Sequence, residues 1–274
     1  MLKTDSTRQL TLKETSTVIN VTKASTANNV NMKHIVLAAG YATRLYPLTE
    51  HFPKPLLEVG GRTILDRLMS DVDTIEGIDE HIVVTNHRFI GIFEQWRAQS
   101  CYRHPITLID DGSEDNDHRI GAVKDLLLAI EQRQIEDDML VLAADNVVDF
   151  SFRDFVAYAN EKGASCIMCH QEESLPALQK TGVVCLDESQ RVVLMEEKPQ
   201  QPKSHWAVPP FYVYKRKDLP LIKTCMEHGC GFDAPGNLAH YLCEQTAMYA
   251  YHITGNRYDI GDLQSYEAVK KLPL

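Results

Sequence analysis

The sequence predicts an α/β fold: a doubly wound, mostly parallel sheet with an antiparallel extension. Two observations carry this. From Lys33 onward, short apolar runs alternate with amphipathic segments of helical length, the rhythm that covers a parallel sheet on both faces. After about residue 164 the rhythm changes to closely spaced strands joined by turns, the pattern of antiparallel pairs.

Strands are expected over 33–39, 81–86, 105–110 and 139–144, because each is a continuous apolar run of the kind buried on both faces. Helices are expected over 63–76, 88–99, 120–132 and 151–162. The later strands are 165–170, 182–187, 191–197 and 206–214, with a hairpin at Asp187–Gln190. Helices over 216–228 and 235–245, a strand over 247–253 and a short helix from Leu263 complete the chain. Residues 1–32 are rich in Thr, Ser, Asn and Lys and weakly patterned, so they read as a disordered or weakly ordered extension of a domain spanning 33–274. Met32 would make a natural start for that domain.

Composition excludes several functions. Of the chain's charged residues 28 are basic and 38 acidic, a net charge of −10, with no dense basic stripe, so nucleic acid is not an expected partner. No apolar run approaches the roughly 20 residues that span a bilayer, and no secretory leader core is visible, so no membrane partner is expected. Seven scattered cysteines fit a reducing cytoplasm better than a disulfide framework. Cys166 and Cys169 form a C-x-x-C but fall on a buried strand, where positions three apart face opposite sides.

The chemistry concentrates where the first strand ends. Leu37, Ala38 and Ala39 lead into Gly40, which frees the backbone so that N–H groups can point at an anion. Arg44 and Lys54 then supply two cations, one able to grip phosphate oxygens bidentately and one a point charge. Pro47, Pro53 and Pro55 stiffen the segment that carries them. At the end of the fourth strand, Asp145 sits at the crevice where open α/β sheets bind ligands, where it can hold Mg²⁺.

The run from Gly40 to Lys54-Pro55-Leu56 resembles the G-x-G-T-R-x-x-P-x-T…K-P-L motif of nucleotidyltransferases that activate sugar phosphates. The family's second glycine is Ala42 here, an exchange that matters if the position needs positive φ. The resemblance covers residues 33 to 271. It implies a Rossmann-like nucleotidyltransferase fold whose antiparallel part walls the acceptor site. It further implies that Arg44, Lys54 and Lys198 are catalytic, Arg44 holding the departing pyrophosphate and Lys54 bridging the donor and acceptor phosphates. Leu37, Ala38, Ala39, Gly40, Gly121 and Asp145 would bind the nucleotide. Gly182, Glu197 and Lys198, in segments similar to the family's glycine strand and E-K-P, would face the acceptor. Asp145 and Asp259, the latter in Arg257-Tyr-Asp-Ile-Gly261 resembling the family's W-x-D-x-G, would hold Mg²⁺. Asp262 reads instead as the N-cap of the last helix.

The resemblance thus implies an enzyme of EC 2.7.7 type that moves a nucleotidyl group from an NTP, taken as a pyrimidine nucleotide, to a phosphorylated small molecule and releases pyrophosphate. A cytidylyltransferase acting on a non-sugar phosphate or phosphonate would use the same residues. A catalytically silent regulatory subunit would not need all of them. Nothing in the sequence excludes a homo-oligomer. Where related glucose-phosphate enzymes read A-V-T-G-L-Y, this chain reads Ala207-Val-Pro-Pro-Phe-Tyr212, so a pocket poorer in hydrogen-bonding groups and richer in apolar bulk from Trp206 and Phe211 is expected, one unsuited to glucose 1-phosphate.

Overall fold

The computed structural model describes residues 31–273. Most of the expected N-terminal extension lies outside the described residues. Met32 belongs to the domain: it opens the first strand, is 3% exposed, and its N–H donates to the Gly77 carbonyl.

The first half runs β1 (Met32–Leu37), a small hairpin of β2 (Glu58–Val59) and β3 (Arg62–Thr63), α1 (Ile64–Val72), β4 (Ile78–Thr85), α2 (Ile90–Gln99), β5 (Ile106–Asp110), α3 (Ala122–Gln132) and β6 (Asp138–Ala143). Helix α1 begins at Ile64 because Thr63 accepts a hydrogen bond from the Asp66 N–H and caps it. Its apolar stripe, Leu65, Leu68, Met69 and Val72, is buried against the sheet. Strands β5, β4, β1 and β6 lie side by side in that order, all parallel. The chain winds outward from β1 in both directions, so β1 and β6 flank the topological switch point. Leu37 pairs with Ala143 and Val84, which leaves Ala38–Gly40 and Ala144–Asp145 side by side at the carboxyl edge.

The second half runs β7 (Asn146–Val148), α4 (Arg153–Lys162), β8 (Ser165–Gln171), α5 (Leu175–Leu178), β9 (Gly182–Leu186), β10 (Val192–Glu197), β11 (Trp206–Val208), β12 (Phe211–Tyr214), α6 (Leu219–Thr224), α7 (Gly236–Gln245), β13 (Met248–His252), β14 (Arg257–Asp259) and α8 (Leu263–Val269). Strand β12 adds antiparallel to β6 and carries the sheet on through β8, β11, β9 and β10, while β13 pairs parallel to β8. Helices α3, α6 and α7 cover one face, with Val123, Leu126, Ile222 and Leu238 in its core. Helices α1, α2 and α4 cover the other.

The short β2, β3, β7, α5 and β14 lie outside the expected set, and two expected elements differ in form. The single strand expected over 206–214 is two, because Pro209 and Pro210 lack the N–H that would continue a ladder. The break lets β11 stay with β8 and β9 while β12 crosses to β6. The helix expected over 216–228 shrinks to a 3₁₀ turn at Arg216–Asp218 followed by α6, then turns that reach Gly229 in positive φ. Cys166 and Cys169 pack into cores on opposite faces of the sheet, as their spacing requires. Among the described residues no helix is long and apolar enough to cross a membrane.

Candidate active site

Two adjoining cavities, of about 590 and 380 Å³, open along the carboxyl edge at the switch point and share Arg44, Ala143 and Pro235 as their common wall. Arg44 stands in a 3₁₀ turn, Thr43–Leu45, entered through Ala42 at φ 47° and ψ 43°. The position does need the left-handed conformation that favours glycine, so the alanine holds a mildly strained backbone here, about 1–2 kcal/mol. The turn is fastened by the Ala42 carbonyl, which accepts from the Leu45 N–H at 2.9 Å and the Thr49 hydroxyl at 2.8 Å. A second 3₁₀ turn, Lys54–Leu56, holds Lys54 at 9% exposure with its Nζ 3.5 Å from Asp145 Oδ2.

Asp145 and Asp259 meet although 114 residues apart in sequence. Strand β14 pairs with β7 so that Asp259 faces Asn146, and the Ile260 N–H donates to the Asp145 carbonyl at 3.1 Å. Asn146 Nδ2 donates to Asp145 Oδ1, and Arg257 Nη1 donates to Asn146 Oδ1, each over 2.5 Å. The surrounding protein and then the charge of Asp145 hold the Asp259 carboxyl above the usual carboxylate range, against the pull of Lys54, Arg257 and Arg44. Both carboxylates line the larger cavity, and the Asp145 side chain is 41% exposed.

The smaller cavity is lined by Leu37, Ala39, Gly40 and Gly121 from the nucleotide set. Ala38 departs from the expectation. It lines neither cavity, because its N–H continues the ladder to the Val84 carbonyl and its methyl packs into the core under α1 and α2. Gly121 precedes α3 at φ 96°, and a Cβ there would lie 2.6 Å from the Phe232 carbonyl, so only glycine fits. The segment holding Phe232 and Asp233 is stitched to the start of α3 by Ala122 N–H to Asp233 O and Val123 N–H to Phe232 O.

The larger cavity brings Gly182, Glu197 and Lys198 together with Lys54, Asp145 and Asp259. Glu197 pairs across the ladder with Gly182, and its carboxylate occupies the space that two glycines leave. A Cβ on Gly236 would fall 2.0 Å from Glu197 Oε2, and one on Gly182 3.2 Å from it. Burial pushes the Glu197 carboxyl up, while Lys198 and His240 pull it down. Lys198 is held at φ 50° with its N–H on the Thr181 carbonyl, a left-handed conformation in a non-glycine residue next to a cavity.

The expected apolar bulk is absent. Phe211 points into the core against Phe152, 5.1 Å between ring centroids, and Trp206 packs at a tilt on His252 at 4.3 Å. His170, Ser174, Lys180 and Thr181 line this cavity instead, so Pro209 and Pro210 do not leave it without hydrogen-bonding groups. Burial and then Arg257 push the His170 imidazole down to about 4, which keeps it neutral. His170, Tyr212 and Arg257 are functional candidates that sequence reasoning passed over, as are Asp111 and Asp125 in the smaller cavity.

A cationic loop and two carboxylates thus converge on paired cavities at the switch point of an α/β domain. The model of the family described as nucleotidyl transferase matches residues 33–272, and the chain belongs to that family. It is 26% identical over 267 residues to the glucose-1-phosphate adenylyltransferase of Fervidobacterium nodosum, covering 89% of this chain and 62% of that one. It is 28% identical over 231 residues to the bifunctional protein GlmU of Methanocaldococcus jannaschii, covering 84% and 51%. The chain thus spans about half to three-fifths of the length of these two relatives. Against the UTP–glucose-1-phosphate uridylyltransferase AglF of Haloferax volcanii it is 27% identical over 240 residues, covering 84% and 91%. UDP-glucose pyrophosphorylase, solved with UDP-glucose, shares the fold with a TM-score of 0.74 at 17% identity, over 88% of this chain and 97% of that one.

Proposed function

We propose that this chain transfers a nucleotidyl group from an NTP to a phosphorylated small molecule, a sugar phosphate or a similar compound, and releases pyrophosphate. The observation that carries the reading is the convergence of Lys54, Asp145 and Asp259 on one cavity wall with Arg44, which also lines the neighbouring cavity. The smaller cavity takes the nucleoside and the larger one the acceptor. An oxygen of the acceptor's phosphate attacks the α-phosphorus, the bond to the bridging α–β oxygen breaks, and pyrophosphate leaves with that electron pair. The side chains position and neutralise rather than form covalent bonds. Arg44, at the mouth of both cavities, holds the leaving pyrophosphate; Lys54 lies between donor and acceptor phosphates; Lys198, half exposed on its strained turn, reaches the acceptor's phosphate.

The donor set suits Mg²⁺: two carboxylates in a cavity wall, with the remaining ligands left to phosphate oxygens and water. Held by Asp145 and Asp259, the ion would neutralise phosphate charge as the α-phosphorus is attacked. Two carboxylates in a pocket for anions favour such a cation, since Lys54 offsets only one of the two charges. The seven free cysteines support a reducing compartment such as the cytoplasm. The test is pyrophosphate release, with Mg²⁺, across the NTPs and a panel of hexose 1-phosphates, phosphocholine and small phosphonates. Pyrophosphate released only when both an NTP and one acceptor are present supports the reading; none with any pair refutes it.

A further inference from the structure

Phosphate transfer leaves Asp111 and Asp125 without a task. Asp111 follows β5, Asp125 stands in the first turn of α3, and both line the smaller cavity beside Gly121. Asp125 is 6% exposed. Its Oδ1 and the Oδ2 of Asp111 are sealed from solvent and, each other apart, accept no N–H or O–H from the described residues. The other oxygen of Asp111 is engaged, taking the Ser113 N–H and hydroxyl at 2.7 Å each, and Tyr41 anchors that loop by donating to the Ser113 carbonyl at 2.8 Å. Arg119, on the same cavity, is engaged too, with Asp233 and with Asn116 Oδ1.

The two carboxyls lie within hydrogen-bonding reach of each other, which requires one proton between them. Burial and then the charge of Asp111 push Asp125 up to about 8, and burial raises Asp111 as well. The pair is therefore held by a shared proton, and the second oxygen of Asp125, which is not among the sealed ones, is the acceptor left for whatever enters.

Resting on the nucleotide-transfer reading, we propose that the Asp111–Asp125 pair reads the exocyclic amine of the nucleobase and selects an amino-bearing nucleotide, CTP among the pyrimidines, over UTP and dTTP. An amine brings its own N–H to the carboxylate oxygen and leaves the shared proton in place. The carbonyl of uracil or thymine brings lone pairs to the same position. It can be met only by turning the shared proton toward the base, which leaves two bare carboxyl oxygens lone pair to lone pair, or by leaving the acceptor unpaired.

The experiment measures binding of CTP, ATP, GTP, UTP, dTTP and inorganic tripolyphosphate to the full chain by titration calorimetry, with magnesium chloride and no acceptor. CTP is expected to bind about ten- to a hundredfold more tightly than UTP and dTTP, the factor that one charge-assisted hydrogen bond carries. Asp125→Asn should narrow that gap to within about threefold while tripolyphosphate binding stays unchanged. Asp111→Asn is the second variant, so that a misfolded Asp125→Asn does not end the test. UTP or dTTP bound as tightly as CTP, or a CTP preference unchanged in folded variants, overturns the base assignment alone. Failure of tripolyphosphate and every nucleotide to bind overturns the transfer reading, and this inference with it.

Discussion

The Ile260 N–H donates to the carbonyl of Asp145, and this bond with the β7–β14 ladder holds the two site carboxylates in one wall. Because the backbone does the holding, the placement of Asp145 and Asp259 does not depend on their side chains. Replacing either should therefore cost function far more than stability. We expect Asp145→Asn and Asp259→Asn to lower kcat at least about a hundredfold with melting temperatures within a few degrees of the parent. Magnesium titrations of activity and thermal unfolding check this. Full activity of Asp145→Asn in excess EDTA would end the metal assignment.

Lys54 is nearly buried, but its partner Asp145 is 41% exposed, so losing the cation leaves a carboxylate that water can still solvate. Lys54→Met should consequently fold. Its charge matters where negative charge builds on transferring oxygens, and one such contact is worth about 10²–10³ in kcat. Steady-state kinetics with a saturating acceptor read the effect. A raised KM with unchanged kcat would show binding that is uniform between ground and transition states.

Ala42 sits where the chain turns left-handed, at φ 47°. Ala42→Gly should remove the Cβ penalty and, after glycine's greater unfolded-state freedom is subtracted, stabilise by about 1 kcal/mol, or raise the melting temperature by about 2–4 °C. Ala42→Val should do the reverse. Calorimetric scans of both variants decide it, and a lower melting temperature for the glycine variant would contradict the strain argument.

How much of this was legible depends on the reach of each signal. Gly40, Arg44 and Lys54 lie within fifteen residues on one loop, so spacing alone brought them together. The link between Asp145 and Asp259 rests on strands of three residues each, β7 and β14, too short for alternation to register. Period and motif cannot tell the last ladder residue from the first loop residue, a difference decided at Ala38 by the Val84 carbonyl. Trp206 and Phe211 were assigned to the acceptor pocket by proximity in sequence, whereas the proline break sends their rings elsewhere. Asp125 stands in the first turn of α3, and only the fold sets it against Asp111.

The carboxylate of Glu197 fills the space above Gly236, where a Cβ would fall 2.0 Å from its Oε2. Gly236→Ala should displace Glu197 and disturb the acceptor side while leaving the smaller cavity intact. The KM for the acceptor should rise about tenfold or more with the KM for the NTP changed less than about threefold. Equal effects on both substrates would mean that α7 as a whole has shifted.

Asp125 gives the clearest dependence on pH. Its folded value of about 8 stands well above the roughly 3.9 of an unfolded aspartate, so between these values the folded state holds the extra proton. Stability from this group is complete below about pH 4, falls as pH rises, and is fully lost only above about pH 8. The slope reaches up to about 1.4 kcal/mol per pH unit, or about 2–4 °C in melting temperature. Asp125→Asn cannot ionise and removes that slope. The melting temperature of the variant minus that of the parent should climb steadily from pH 5 to pH 8, whatever its sign at pH 5. Scans in buffers of matched ionic strength measure the difference. A difference that stays flat across that range would show that Asp125 is ionised in the folded chain, and would remove the shared proton on which the base-reading argument stands.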